Sequence, residues 1–222
     1  MLKINRKITQ VNRTVMENKR NMWIVIHYVG SVSTAKNNAT YFYSENRRAS
    51  AHYFVDENEI WQVVEDKDAA WHVGGAKKYY NSCRNNNSIG IEMCCKKLNG
   101  KWYIEPKTIA NTIALTRHLA KKYNIDTKYY ICRHYDVTSK LCPEPMVRNE
   151  ALWQEFLKQV QGDYMEEKEL TIQEKVKEIQ RIAVLDDNTG LYFQFYRYNT
   201  ALIDKLYYLA VDAEKWRNQA KN

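Results

Sequence analysis

The chain has 222 residues, 45% of them apolar and 27% charged, which excludes collagen-like, low-complexity and disordered classes. At roughly 150 residues per domain, the length allows one domain plus a small appendage. The balance is basic, with 34 Lys+Arg against 26 Asp+Glu and a formal net charge of +8. No apolar run approaches the ~18 residues that a membrane helix needs, so no transmembrane segment is expected.

The first 21 residues, MLKINRKITQVNRTVMENKRN, are basic, with no apolar stretch and no small-residue cleavage site. They predict no secretory signal peptide, hence synthesis in the cytoplasm. Residues 1–20 show no period and read as an irregular arm. Residues 22–28, MWIVIHY, form an apolar run that predicts a buried strand. Ala39, Phe42 and Tyr43 mark a short helix within 35–48. Residues 51–56 and 59–64 flank Glu57-Asn58 and predict a hairpin. Residues 66–87, with Asn at 85–87, read as a long loop. SIGIEMCC at 88–95 reads as a central strand.

Pro106 suits a first helical position, and Ile109, Ile113, Thr116, Leu119 and Tyr123 follow at helical steps. Residues 129–133 predict a last short strand, and HYDVTSKLCPEP after it reads as loop. Asn149 caps a helix to about Val160 with Leu152, Phe156 and Val160 inward. Strands alternating with helices predict an α/β fold, a central mixed β-sheet covered by helices.

Gly162-Asp163 is the best boundary. It divides an expected first domain, 1–162, from a small, mainly helical C-terminal module, 163–222. Residues 1–162 carry 25 Lys+Arg and 15 Asp+Glu, a net of +10, whereas 163–222 carry 9 and 11, a net of −2. The basic part should meet something anionic: nucleic acid, a membrane surface or an acidic wall polymer. Thr171 to Glu174 fits a capping box. The stretch LYFQFYRY at 191–198 serves either targeting or packing, and self-association through it is a further reading. The module is smaller than the ~70–80 residues at which a single core is comfortable.

The five cysteines, Cys83, Cys94, Cys95, Cys132 and Cys142, are odd in number and irregularly spaced. They describe no disulfide framework and read mostly as small buried residues. The chemistry lies elsewhere. His27 ends a strand, and His134 and Cys142 share one loop. Two imidazoles and a thiolate are zinc-ligand types, and three protein ligands with an open fourth position define a catalytic site. Each residue alone is more often an ordinary core or surface side chain.

Five segments change that weighting: IVIHY at 24–28, SAHYFV at 50–55, EDKDAAWHVGG at 65–75, SIGIE at 88–92 and HYDVTSKLCPEP at 134–145. In order and spacing they resemble the zinc-dependent N-acetylmuramoyl-L-alanine amidases of the type-2 amidase family. That family also holds the peptidoglycan recognition proteins and many phage endolysins. The resemblance covers roughly residues 20–150 and not the tail.

The resemblance implies that His27, His134 and Cys142 bind one Zn²⁺. It implies Glu92 as the general base and Lys140 as the group that stabilises the oxyanion. It places His72 and Trp71 at the substrate. Some phage members carry a tyrosine immediately before the histidine of SAHYF. Ala51 stands there, so no such role is expected, and His52 is expected to be structural. His118 is given no role.

The expected partner is bacterial peptidoglycan, with acidic wall polymers as a further attraction. The expected reaction is hydrolysis of the amide between N-acetylmuramic acid and L-alanine, in the manner of a phage or prophage endolysin that acts on the wall after release. The alternative is a non-catalytic peptidoglycan-binding module, disfavoured by the joint presence of Cys142, Lys140 and Glu92. Nucleic-acid binding ranks last, since no helix-turn-helix, zinc-finger or single-strand platform motif is present.

Overall fold

Residues 1–162, together with Lys177, Ile179 and Gln180, are described by the computed structural model. The chain divides into two units, 1–162 and 163–222, and the first is described below. The capping box at 171–174 and the aromatic stretch at 191–198 lie outside the described residues.

The strands are β1 (Ile4–Arg6), β2 (Trp23–Val32), β3 (Tyr53–Val55), β4 (Ile60–Gln62), β5 (Ser88–Leu98), β6 (Lys101–Tyr103) and β7 (Ile131–Arg133). The helices are α1 (Ala35–Ser44), α2 (Pro106–Tyr123), α3 (His134–Thr138), α4 (Glu144–Arg148) and α5 (Glu150–Gln161). The sheet order is β1-β4-β3-β5-β2-β7, with β6 on the far end of β5. β5 runs parallel to β2 and β3, and β2 parallel to β7, while β3 and β4 form the expected antiparallel hairpin. The sheet is therefore mixed.

Period-two alternation gives its two faces different jobs. Ile24 and Ile26 of β2, Ile89, Ile91 and Met93 of β5, Tyr53 and Val55 of β3, and Ile131 of β7 lie in one cluster. Helices α2 and α5 cover that face with Ile113, Leu115, Leu119, Trp153, Phe156 and Val160. The opposite face carries Val25 and His27 of β2, registered beside Gly90 and Glu92 of β5. Helix α1 covers only part of it, where Ala35 and Ala39 pack with Phe54 and Phe42 stacks on Phe54. The rest is left for a site.

Helix α2 buries three threonines among its apolar residues, and two of their hydroxyls donate back along the helix. Thr112 reaches Thr108 O at 2.8 Å and Thr116 reaches Thr112 O at 2.7 Å, so these groups enter the interior satisfied. Leu119 is fully buried in the main cluster. Leu119→Ala is expected to lower stability by about 2–5 kcal/mol through the cavity it leaves, measured as a shift in denaturant midpoint.

Two local expectations are corrected. The segment after β7 is not loop throughout, since α3 starts at His134 directly from the strand. Asp136 accepts from Arg133 N at 2.8 Å and caps that start; an arginine in the cap position hides the usual signature. Pro143 and Pro145 do not break the chain either. Pro143 sits at the cap and Pro145 in the first turn of α4, where a missing N–H costs nothing. Strand β6 follows a tight turn at Asn99 and Gly100, both with positive φ, and no apolar period announced it.

The arm, residues 1–21, contributes β1 and is otherwise irregular. Its Asn12 amide donates to Phe42 O and Glu45 O, each at 2.6 Å, and its Thr9 hydroxyl to Tyr43 O. Lys19 goes deepest. Its ammonium contacts Asp68 O and Ser88 O, both at 2.8 Å, Asp66 O at 3.3 Å and His52 Nε2 at 2.9 Å. Burial pulls the Lys19 pKa down to about 7, against the attraction of Asp66 and Asp68. Lys19→Met takes a donor from each of Ser88 O, Asp68 O and Asp66 O, of which the last two are still reached by His52 Nε2 and Asn21 Nδ2. The expected loss is about 1–3 kcal/mol, read from thermal or denaturant unfolding.

Candidate metal centre and its cleft

His27, His134 and Cys142 come from three places in the chain and meet on the open face. His27 is on the face of β2 that carries Val25, and β7 lies parallel beside β2. His134 follows β7 directly as the first residue of α3. Cys142 is brought back beside it by a closed loop, in which Tyr135 N donates to Cys142 O at 2.9 Å. Each offers one ligand atom, and the three atoms lie within 4.8 Å of one another. His27 Nδ1 is 3.7 Å from Cys142 Sγ. The residues are 1%, 6% and 3% exposed, so the cluster is walled by protein on most sides.

The donor set fits a zinc ion. Two imidazoles and a thiol are the right types, and three protein ligands leave a fourth position open. The centre also holds unmet polar capacity, since His134 Nδ1 is buried with no partner among the described residues. Burial holds His27 well below the ordinary histidine range, with His72, His134 and Lys140 adding to it. Burial takes His134 down to about 4, assisted by Lys140. Both imidazoles therefore enter the site neutral, as ligation requires. Burial and then Glu92 push the Cys142 thiol up to about 12, the burden of placing a thiolate there without a cation.

Glu92 stands beside His27 across the β2–β5 register. Its Oε2 is buried without a hydrogen bond among the described residues. Burial pushes its pKa up to about 7, and the Lys140 ammonium pulls the other way. A carboxylate oxygen buried and left unpaired is costly, which makes this half-buried group a functional candidate. Lys140 is exposed at the rim, two residues before Cys142.

A cleft of about 690 Å³ opens over the centre, lined by Trp71, His72, His134, Lys140, Tyr80, Arg48, Lys77 and Lys78 among others. A hollow of about 460 Å³ adjoins Glu92 and is lined by Asn37, Asn38, Tyr41, Phe42 and Phe54 among others. Trp71 is held at the cleft wall, its indole donating to Thr14 Oγ1 at 2.9 Å. His72 reaches the cleft floor, yet both its ring nitrogens are engaged by protein, His27 Nε2 at 3.0 Å and Ser88 Oγ at 3.1 Å. His52 is fully buried, and its Nδ1 accepts from Gly90 N at 3.0 Å. His118 is exposed on α2, far along the chain from any site residue.

Residues 17–145 match the family described as N-acetylmuramoyl-L-alanine amidase. The chain belongs to this family. The matched span contains all three candidate ligands, Glu92 and Lys140. A probable N-acetylmuramoyl-L-alanine amidase of Bacillus licheniformis is 34% identical over 163 residues, covering 69% of this chain and 45% of that protein. The amidase CwlL of the same species is 32% identical over 164 residues, covering 69% of this chain and 44% of that protein. The chain thus spans less than half the length of these relatives. Among solved structures, that of PlyL covers 72% of this chain and 98% of its own, with a TM-score of 0.62 at 23% identity, which shows the shared fold.

Several residues of this candidate site are not singled out by the sequence alone. Ser88 and Gly90 sit inside the SIGIE segment but share the Glu92 face, a relation that strand alternation makes legible. Arg48, Lys77 and Lys78 carry no local signal and are joined only by the cleft.

Proposed function

We propose that this chain hydrolyses the amide bond between N-acetylmuramic acid and L-alanine in bacterial peptidoglycan, as a zinc-dependent enzyme of the endolysin kind. The observation that supports it best is the buried His27–His134–Cys142 cluster beside Glu92, whose Oε2 has no hydrogen bond among the described residues, in a chain of the amidase family.

His27, His134 and Cys142 would hold the metal. A zinc ion bound there supplies Lewis acidity, polarising a carbonyl and acidifying a water within reach. Glu92 Oε2 takes the proton of the attacking water as the new C–O bond forms. It returns that proton to the amide nitrogen as the C–N bond breaks, so the products are a carboxylic acid and a free amine. Lys140 Nζ at the rim faces the negative charge that collects on the carbonyl oxygen. Lys140→Ala is expected to lower the hydrolysis rate about 10²–10³-fold while the protein still takes up zinc.

The cationic cleft and the net charge of +10 on residues 1–162 favour an anionic wall over a neutral one. Residues 163–222 are proposed as an appended module that holds the enzyme to the wall. Truncation after Gly162 is then expected to abolish pelleting with walls and to spare hydrolysis of soluble fragments. Among the described residues, no helix is long and apolar enough to cross a membrane.

Digestion of purified walls tests the reading. The expected result is new L-alanine amino groups with no new reducing sugar ends, lost with a chelator and restored by zinc. Wall binding without new amino groups would transfer the protein to the recognition-module reading. New reducing ends would move the cut to a sugar linkage.

A further inference from the structure

We infer that Ser88 and His72 are positioning residues: with Arg84 O they form a one-way hydrogen-bond chain that locks His27 in the tautomer whose bare Nδ1 faces Cys142. This rests on the metal-centre reading above and deepens it.

The direction of the chain follows from its far end. Ser88 Oγ lies 2.6 Å from Arg84 O. A carbonyl only accepts, so the single hydroxyl proton of Ser88 is spent there. Ser88 Oγ must then accept across its 3.1 Å contact with His72 Nε2, which puts the ring proton of His72 on Nε2. A neutral His72 has a bare Nδ1, and that atom is 3.0 Å from His27 Nε2. His27 therefore donates from Nε2 and keeps Nδ1 bare. That nitrogen is 3.7 Å from Cys142 Sγ.

His72 has reason to stay neutral. It is 8% exposed, its ring meets the rings of His27 and His52 edge to face, and the Lys19 ammonium contacts His52. A second positive charge in that pocket has no counter-ion among these contacts.

Gly90 supplies an independent observation. A Cβ built there would lie 2.7 Å from His72 Cγ and 2.8 Å from its Nδ1. The ring lies against the backbone of β5, and only glycine leaves it room. Ser88, Gly90 and Glu92 alternate onto one face. Ser88 anchors the chain, Gly90 seats the ring, and Glu92 presents the carboxyl. Outer partners of this kind orient a metal-bound histidine and typically change metal affinity 10–100-fold. A histidine in that place, in turn oriented by a serine, makes the support two residues deep.

The test uses the full-length protein. Nitrogen-15 spectra of the metal-free wild type should show His27 protonated at Nε2 alone. Ser88→Ala should replace that single tautomer with a mixture. His72→Gln places a carbonyl oxygen and an amide N–H near the two ring nitrogens, so it should keep the tautomer, whereas His72→Phe should lose it. Zinc affinity, read by competition with a chromophoric chelator, should fall about 10–100-fold in His72→Phe and Gly90→Ala, and stay near wild type in His72→Gln.

His27 protonated at Nδ1 in the wild type would overturn the inference. So would folded His72→Phe, or folded Ser88→Ala, with wild-type zinc affinity and an unchanged His27 tautomer. If the wild type takes up no zinc, the metal-centre reading fails by itself, and the metal-free spectra still decide the hydrogen-bond chain.

Discussion

Glu92→Gln is expected to slow release of L-alanine amino groups about 10²–10⁴-fold, the range of a lost general base. The amide is close to isosteric but has no lone pair basic enough to take the proton. Fold and zinc uptake should survive, because Glu92 Oε2 makes no hydrogen bond among the described residues. Activity requires the carboxylate, so the rate should rise with pH. Without metal, burial pushes the group up to about 7. A bound cation favours the carboxylate, so the acid limb of the rate profile should lie below that value.

The same shift has a sign for stability. Glu92 is raised in the fold, so the native state binds more protons than the unfolded chain between about pH 4.5 and 7. The Glu92 contribution to the stability of the metal-free protein should fall with rising pH across that window, by about 3 kcal/mol, while His27, His52, His72 and His134, held below the ordinary histidine range, contribute with the opposite sign. Glu92→Gln should remove that one contribution, so stability should rise more steeply with pH in the variant than in the wild type. An unchanged slope in the variant, or a rate within a few-fold of wild type, would remove Glu92 from the mechanism.

Cys142→Ala should eliminate zinc-dependent hydrolysis. Two imidazoles remain, and the loss of a ligand should exceed the 10–100-fold attached to outer-shell changes. The wild type should also gain stability from the metal, about 4 kcal/mol when zinc is at a thousand times its dissociation constant. The variant should show no such gain. Thermal unfolding with and without zinc, for both proteins, is the measurement. A zinc-dependent gain that persists in Cys142→Ala would place the metal elsewhere.

Much of the candidate site is legible because its chemistry is written at strand positions. In MWIVIHY the apolar run marks a buried strand, and alternation puts His27 on the face opposite Ile24 and Ile26. The same rule separates Glu92 from Ile89 and Ile91. Pro106 and Asn149 announced α2 and α5, since capping and first-turn preferences are local. Helices α3 and α4 were misread for the opposite reason. Their caps are an arginine and a proline, and α3 starts where β7 ends with no turn residue between.

The sequence by itself determined the fold class, where the main strands lie along the chain, and which residues have the chemistry to bind a metal or move a proton. Side-chain type and period-two alternation are properties of neighbours along the chain, so they can be read from it. Only the tertiary structure decided that His72 turns its nitrogens to His27 and Ser88, that Gly90 makes room for its ring, and that Lys19 of the arm reaches the carbonyls beneath the site. Those are facts of register and hydrogen-bond direction between segments tens of residues apart. Each depends on where a single proton or a single missing Cβ lies once the strands are paired, and no local pattern encodes that.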